Sequence, residues 1–430
     1  MKKVLNEEFV RNLSKKKNEP DWMLEFRLNS LKKFEELDNP NFGPKLDIDF
    51  SKINYYKGNK KKLTDDWNKV NCSIKKSFDK LGVIEAEEKY LGGVTNQFES
   101  EVIYHNKKVQ DDIIFTSTDD ALQKYPDLFK EYFNTLVKYD ENKYTALNGA
   151  VWSGGSFIYI PKGVKVEKPL QSYFRIETES LGQFERTIII VDEGADLSYI
   201  EGCTATAYST TSLHAGVVEI FVKPNAKCRY STIQNWSTDV YNLVTKRSIV
   251  EENGLMEWVD GNIGSGVTMK YPSCILAGKN AVGNSISIAY AKKGQYLDAG
   301  AKMIHLAPET KSNIVSKSIA EGGGISNYRG TTRITKDAIN SKANIKCDTI
   351  ILDDISTSNT YPKNIVANNS SALEHEATIS KVSQEKMFYL TSKGISENSA
   401  KELLIMGFIN DFKKELPMEY AVELNRLLKE

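Results

Sequence analysis

From Asn148 to about residue 370 the chain keeps returning to one small pattern. A tight-turn pair precedes a short run in which β-branched or aromatic residues alternate with others. Residues 156–160, 164–166, 187–191 and 217–222 are such runs, bounded by Pro-Lys-Gly, Asp-Glu-Gly or Pro-Asn turns. The turn pairs Glu193-Gly194, Pro224-Asn225, Glu252-Asn253, Lys293-Gly294 and Lys336-Asp337 follow one another at 31, 28, 41 and 43 residues. A unit this short cannot bury its own apolar face, but stacked copies can. The spacing therefore predicts a mainly β fold, a β-solenoid. An all-β sandwich is the alternative that the pattern leaves open.

The flanks read differently. Residues 1–145 form a mixed, partly helical part, with helices expected over 21–37 and over 117–139, the second broken at Pro126. Gly43-Pro44 and 57–66 read as loops. After the solenoid, 146–373, the tail 374–430 turns helical. Ser383 can cap a short helix stopping at Gly394, and Ser396 the next, with Leu404, Phe408 and Phe412 on one face. Pro417 suits the first turn of a third helix, 418–429.

Charge excludes one class of function. Lys+Arg and Asp+Glu are both 57, without the basic excess that a nucleic-acid surface requires. No run of 18 apolar residues exists and the first residues lack a signal-peptide core, so a cytoplasmic chain is expected, or a stromal one if organelle-encoded. The five cysteines include no C-x-x-C pair and read as reduced thiols. No P-loop is present, since Gly278-Lys279 is followed by Asn280, and Gly322-Gly323-Gly324 reads as a turn.

Chemistry concentrates at three places. Glu374-His375-Glu376 puts two carboxylates and an imidazole together, some thirty residues after Cys347. Thiolate, carboxylate and imidazole all bind iron. Taken alone, Cys347 reads as readily as a core thiol, and the Glu-His-Glu run as a salt-bridge cluster. If that run is extended, Glu374 and Glu376 share one face and His375 the other. One Cys and one Glu cannot hold a cluster, so such a site would be labile, open, or completed by a second subunit. Cys203, after Gly202 and among small residues, suits a thiol that accepts sulfur, or a small residue in a solenoid turn. Cys228, Cys274, His214 and His305 read as core residues and Cys72 as incidental.

Six stretches together carry a resemblance: Ala150-Val-Trp-Ser-Gly-Gly-Ser-Phe-Ile-Tyr159, Glu201-Gly-Cys-Thr-Ala205, Tyr230-Ser-Thr-Ile-Gln-Asn-Trp236, Tyr271-Pro-Ser-Cys-Ile-Leu276, Lys302-Met-Ile-His305 and Leu373-Glu-His-Glu-Ala-Thr378. From about residue 85 onward the chain resembles the SufB/SufD family of the Suf iron–sulfur cluster assembly system, and its SufB branch rather than its SufD branch. The resemblance implies a right-handed parallel β-helix between helical flanks, and a scaffold rather than an enzyme. It implies Cys203 as sulfur acceptor, a sulfur path past Arg175, Gln234, Trp236 and Lys246, and a cluster site at Cys347 and Glu376 with His375 and Glu374 beside them. The cargo would be a transient [4Fe–4S] or [2Fe–2S] cluster, and the family permits reduced FAD. Implied partners are the ABC-type ATPase SufC on the C-terminal helices, SufD or a second copy of this chain, a cysteine desulfurase or sulfur-transfer protein, and apo acceptor proteins; nucleic acid and membrane are not among them.

Two departures stand out. Many relatives carry a Cys-rich N-terminal motif where this chain has only Cys72, and Glu177 stands near Arg175 where relatives often carry Asn. An acid there would oppose an anion unless Arg175 neutralises it. Two rival readings are a SufD-like structural partner without its own cluster and a solenoid polysaccharide lyase or hydrolase. The thiols and the missing signal peptide argue against the second.

Overall fold

The structure is a computed structural model describing residues 5–58, 64–66, 69–70, 91–107, 110–205 and 211–415. Two long sheets run side by side along a solenoid. The first is ten strands, in spatial order Glu101–Lys107, Gly93–Phe98, Leu170–Ile176, Asp196–Ala205, Lys227–Asn235, Leu255–Asn262, Val282–Ala291, Lys311–Ala320, Lys342–Ile351 and Ala372–Lys381. Only the first pair is antiparallel. Every later pair is parallel, which rules out the sandwich, an antiparallel architecture. The second sheet has thirteen strands, among them Val240–Val250, Val217–Val222, Arg186–Val191 and Ser156–Ile160 side by side in that order.

The coil is more regular than the sequence spacing suggested. Asp196, Lys227, Leu255, Val282, Lys311, Lys342 and Ala372 stand opposite one another, so successive coils take 31, 28, 27, 29, 31 and 30 residues. The spacings of 41 and 43 mixed different corners. The corner begun by Gly194, Asn225 and Asn253 continues at Asn280, Glu309 and Asn340, all left-handed with φ between 55° and 67°. Asn accepts that conformation more readily than most residues. From Gly194 to Glu309 each corner N–H bonds the next rung's carbonyl, as in Asn225 N to Glu252 O (2.8 Å) and Asn253 N to Lys279 O (2.9 Å), and Asn340 N donates to Ser370 Oγ instead (3.0 Å). The asparagine side chains stack too, Asn253 Nδ2 on Asn225 Oδ1 (3.2 Å) and Asn280 Nδ2 on Asn253 Oδ1 (3.1 Å).

The coil interior is filled by Ile189, Ile220, Leu197, Tyr199, Tyr230, Trp258, Met303 and Ile345 among others, with Cys228, Cys274 and Cys347. The N-terminal part covers the outside of the second sheet, where Met23, Phe129, Phe133 and Trp152 pack on Ile188, Ile190 and Phe221. It contains the expected helix Asp21–Glu36 and two that sequence reading missed, Glu7–Lys16 and Lys143–Val151, capped by Asn6 and Asn142. The helix expected over 117–139 is Thr118–Lys124 followed by Pro126–Tyr132, with Pro126 in the first turn. It stops early because the buried Glu219 carboxylate takes the N–H groups of Asn134 (3.0 Å), Leu136 (2.8 Å) and Val137 (3.0 Å), which a helix would have needed.

At the other end, helices Gln384–Ser392 and Glu397–Glu415 follow the coil, with Ser383 as cap and Gly394 (φ 84°) ending the first. Ile405, Ile409 and Phe412 pack on the outside of the first sheet. The helix expected over 418–429, Cys72 and most of the 57–66 loop lie outside the described residues. Strand Ala372–Lys381 carries the coil through residue 373, where it was expected to stop. The final rung is bare: Tyr361, Ile365, Val366 and Ile379 are exposed. Among the described residues no helix is long and apolar enough to cross a membrane.

Candidate functional site

Side chains alternate across a strand, so each rung sends every second residue inside the coil. From Asp196–Ala205 the inward set includes Tyr199, Glu201 and Cys203; from Lys227–Asn235 it includes Tyr230, Thr232 and Gln234. The register aligns Glu201, Thr232, Asp260, Ser287, Ser316 and Cys347 on six successive rungs, all buried. Ser287 Oγ and Ser316 Oγ are 3.1 Å apart. A polar column thus crosses the interior and ends at Cys347. Cys203 heads the neighbouring column, opposite Gln234 and then Asn262.

Around Cys203 the interior is densely charged. Its thiol donates to Glu201 Oε1 at 3.8 Å. The same oxygen lies 3.4 Å from Lys246 Nζ, and Tyr230 OH donates to Glu201 Oε2. Lys270 Nζ sits 3.0 Å from Asp260 Oδ1 and 3.2 Å from Gln234 Oε1. Asn242 links Gln234 (2.7 Å) to His214 Nδ1 (2.7 Å), whose Nε2 meets Glu185 at 2.5 Å, and the His214 ring lies 4.6 Å from that of Trp236. Gln234 Nε2, Trp236 Nε1 and Thr232 Oγ1 are buried without a hydrogen-bond partner in the structure. Unpaired buried donors are uncommon and call for a water, an ion or a passing ligand.

Electrostatics follow from burial. Desolvation, then Glu201 and Glu185, push the Cys203 thiol well above its ordinary range, while Lys246 and Lys270 pull it back. Burial is the largest single influence on the Lys246 charge and works against it, but Glu201, Asp260 and Cys203 together outweigh it and hold the ammonium above its usual value. Lys270 is pushed down by burial to about 8 despite Asp260, with Lys246 adding to the depression. Cys203 is therefore a protonated thiol at rest with a carboxylate in reach of its proton. Two cations and three unpaired donor groups stand near to receive an anion.

Of the four expected path residues, Gln234, Trp236 and Lys246 lie in this interior. Arg175 does not. Phe174 stands opposite Cys203, so Arg175, one residue on, faces outward, where its Nε pairs with Glu177 Oε1 at 2.6 Å. That pair settles the Glu177 charge without either residue entering the coil.

At the Cys347 end the expected residues fall on the two faces of the sheet. Cys347 is inward beside Tyr328, and burial lifts its thiol to about 12. Glu374 and Glu376 face outward and are exposed. Glu376 stands opposite Lys346, one residue before Cys347, and its carboxylate is 3.8 Å from that lysine. Alternation therefore puts Cys347 and Glu376 on opposite sides of the sheet. His375 is the member that turns inward, opposite Ile345, with Nδ1 3.3 Å from Asn364 Nδ2 and Nε2 buried without a partner. Among the described residues no three His, Cys, Asp or Glu side chains converge as a metal site.

Glu185, His214, Asp260 and Lys270 were missed as site residues. Counting back two from Cys203 reaches Glu201, and the 28–31 spacing leads to Thr232 and Asp260, but Glu185, His214 and Lys270 carry no local signal. His305 is a core residue, held between Thr310 (2.8 Å) and Ser312 (2.9 Å). On the C-terminal helices Phe388 and Tyr389 are 74% and 61% exposed, beside a groove formed with Leu390 and Leu404.

Two family models cover most of the chain: the SufBD core domain of SUF-system FeS cluster assembly over residues 174–408, and the SufBD N-terminal region over residues 12–172. The chain is 57% identical over 429 residues to proteins described as iron–sulfur cluster assembly SufBD family proteins from Staphylococcus saprophyticus, Staphylococcus aureus and Staphylococcus haemolyticus, covering 99% of this chain and 92% of each relative.

Proposed function

The chain belongs to the SufBD family of iron–sulfur cluster assembly proteins, and from that premise we propose that it is the SufB-type scaffold, accepting sulfur on Cys203 and assembling a labile cluster at the Cys347 end. The observation that carries this reading is the polar column from Glu201 to Cys347. Apolar packing would stabilise a solenoid interior better, so a buried file of acids and hydroxyls, with Lys246 and Lys270 set against it from the other sheet, points to chemistry. Glu201 takes the Cys203 proton. The thiolate attacks the outer sulfur of a donor persulfide, the donor S–S bond breaks, and the donor leaves as a thiol. Lys246, Lys270, Gln234 and Trp236 then stabilise the resulting anion. Release of the Cys203 sulfane sulfur as sulfide returns Cys203 to the thiol and consumes two electrons from an external reductant, a role reduced FAD would fill; iron and sulfide then meet at Cys347 and His375, with remaining ligands from a partner chain stacked on the bare final rung, SufD or a second copy. The acids Glu374 and Glu376, on the outer face of that rung, would serve iron entry or the partner. The protein is a scaffold, not an enzyme. It delegates nucleotide chemistry to an ABC-type ATPase docked at Phe388, Tyr389 and the adjoining groove.

The test is anaerobic reconstitution with iron and sulfide, comparing the unmodified chain with Cys347→Ser, His375→Ala and Glu376→Ala. Bound iron and the sulfur-to-iron charge-transfer absorbance should fall strongly for the first two and less for the third. Equal loading in all four would sink the site assignment and favour the SufD-like structural role.

A further inference from the structure

A cleft of about 550 Å³ lies along the outside of the second sheet, with the strand that carries Lys246 forming part of its wall. Its walls include Phe42, Tyr144, Leu243, Met269 and Tyr271. The 37–42 segment forms its roof, tied down at Gly43, whose φ of 78° and close approach to Met269 leave little room for a side chain. A space of this size suits a small molecule.

The charges inside are unequally committed. Arg247 is spent on Glu141, by two contacts of 2.7 and 2.5 Å, and on the Leu136 carbonyl at 2.8 Å. Tyr271 OH is spent on Asp298 at 2.7 Å. Lys302 is not spent. Its ammonium lies 5.6 Å from the Tyr271 ring and makes no hydrogen bond or ion pair among the described residues. It is partly buried: burial first and the like-charged Arg247 second disfavour its cation, and Glu141, already paired to Arg247, offsets them only in part, so a further anion on Lys302 is favoured. Tyr271 and Lys302 both belong to distinctive stretches of the sequence for which the sulfur path has no use.

We propose that this cleft binds a flat organic anion, its acid group on Lys302 and its ring against Phe42 and Tyr271. Aromatic walls with one free cation select for a ring bearing a single carboxylate or phosphate; a neutral ring loses the ammonium, and a bare anion loses the walls.

The test is calorimetric titration of the full chain with naphthalene-2-carboxylate, its neutral carboxamide, and AMP. The carboxylate or AMP should bind once per chain, and the carboxamide at least tenfold more weakly than the carboxylate. Lys302→Gln should weaken the anion at least tenfold, Lys302→Arg should retain most of the binding, and Phe42→Ala, at a residue 41% exposed, should weaken all ligands while leaving the fold intact. Preference for AMP would identify a phosphate head, and preference for the naphthoate a carboxylate. Equal binding of carboxylate and carboxamide, indifference to Lys302→Gln, or no binding of either anion up to roughly 1 mM, a free energy of only about 4 kcal/mol, would overturn the proposal.

Discussion

Replacing Lys246 with Met tests whether the buried charges are there for stability or for chemistry. Lys246 and Glu201 have side chains 0% and 2% exposed, with Nζ 3.4 Å from Oε1. At an effective dielectric of about 20, that separation corresponds to ~5 kcal/mol of attraction. Lys246→Met keeps the stem volume but strands the carboxylate, leaving it only Tyr230 OH and the Cys203 thiol. Stranding one member of a buried pair costs roughly 3–5 kcal/mol. The double variant Lys246→Met with Glu201→Gln removes both charges and should return to within about 1 kcal/mol of the unmodified chain, or exceed it. The assay is equilibrium urea unfolding followed by the fluorescence of buried Trp236 and Trp258. Sulfur acceptance is measured in parallel, as persulfide labelling of Cys203 from a donor. The expected outcome is a double variant that folds normally and accepts no sulfur. A Lys246→Met cost below about 1 kcal/mol would refute the reasoning, because it would mean the interior solvates the carboxylate without the lysine. So would full sulfur acceptance by the double variant.

Burial alone holds His305 down to about 4 against an ordinary 6.5. Its folded-state value lies below the unfolded one, so it contributes stability above pH 6.5 that is lost as pH falls towards 4. Between pH 7 and pH 5 that loss is about 2 kcal/mol. His305→Gln should show a correspondingly shallower acid dependence in urea titrations at the two pH values; equal slopes would contradict the assignment. Phe388→Asp with Tyr389→Asp alters exposed side chains only, so stability should change by less than about 0.5 kcal/mol while co-purification of the ATPase partner is lost. Retained co-purification would place docking elsewhere.

The solenoid was legible because turn chemistry and alternation are local signals. Asn225 and Asn253 announce their corner; the turn-pair spacing loses the repeat at the next one, where Asn280 carries the same signal but is passed over for the Gly294 turn of a different corner, and Glu309 beyond it gives no signal at all. Which residues face each other was less legible. Cys347 stands opposite Ala377 because that coil takes 30 residues. A coil of 29 would have placed Glu376 there instead, and coils here vary between 27 and 31. One residue more or less exchanges the inner and outer faces, and nothing local in the sequence sets it. The same holds for Arg175, one position from an inward Phe174. The His214–Glu185 and Lys270–Asp260 contacts join residues of different coils or strands, so they became visible only with the fold.

The stacking of the coil also sets a distance. Neighbouring strands in a sheet lie about 4.8 Å apart, so the five steps from the rung of Cys203 to that of Cys347 span roughly 24 Å. No side chain is long enough to carry a sulfur atom that far, and the backbone between is locked into ladder hydrogen bonds. On the proposed function, sulfur taken up at one thiol and used at the other has to make the journey as a small free species, at a rate governed by how readily the interior hydroxyls give way to it.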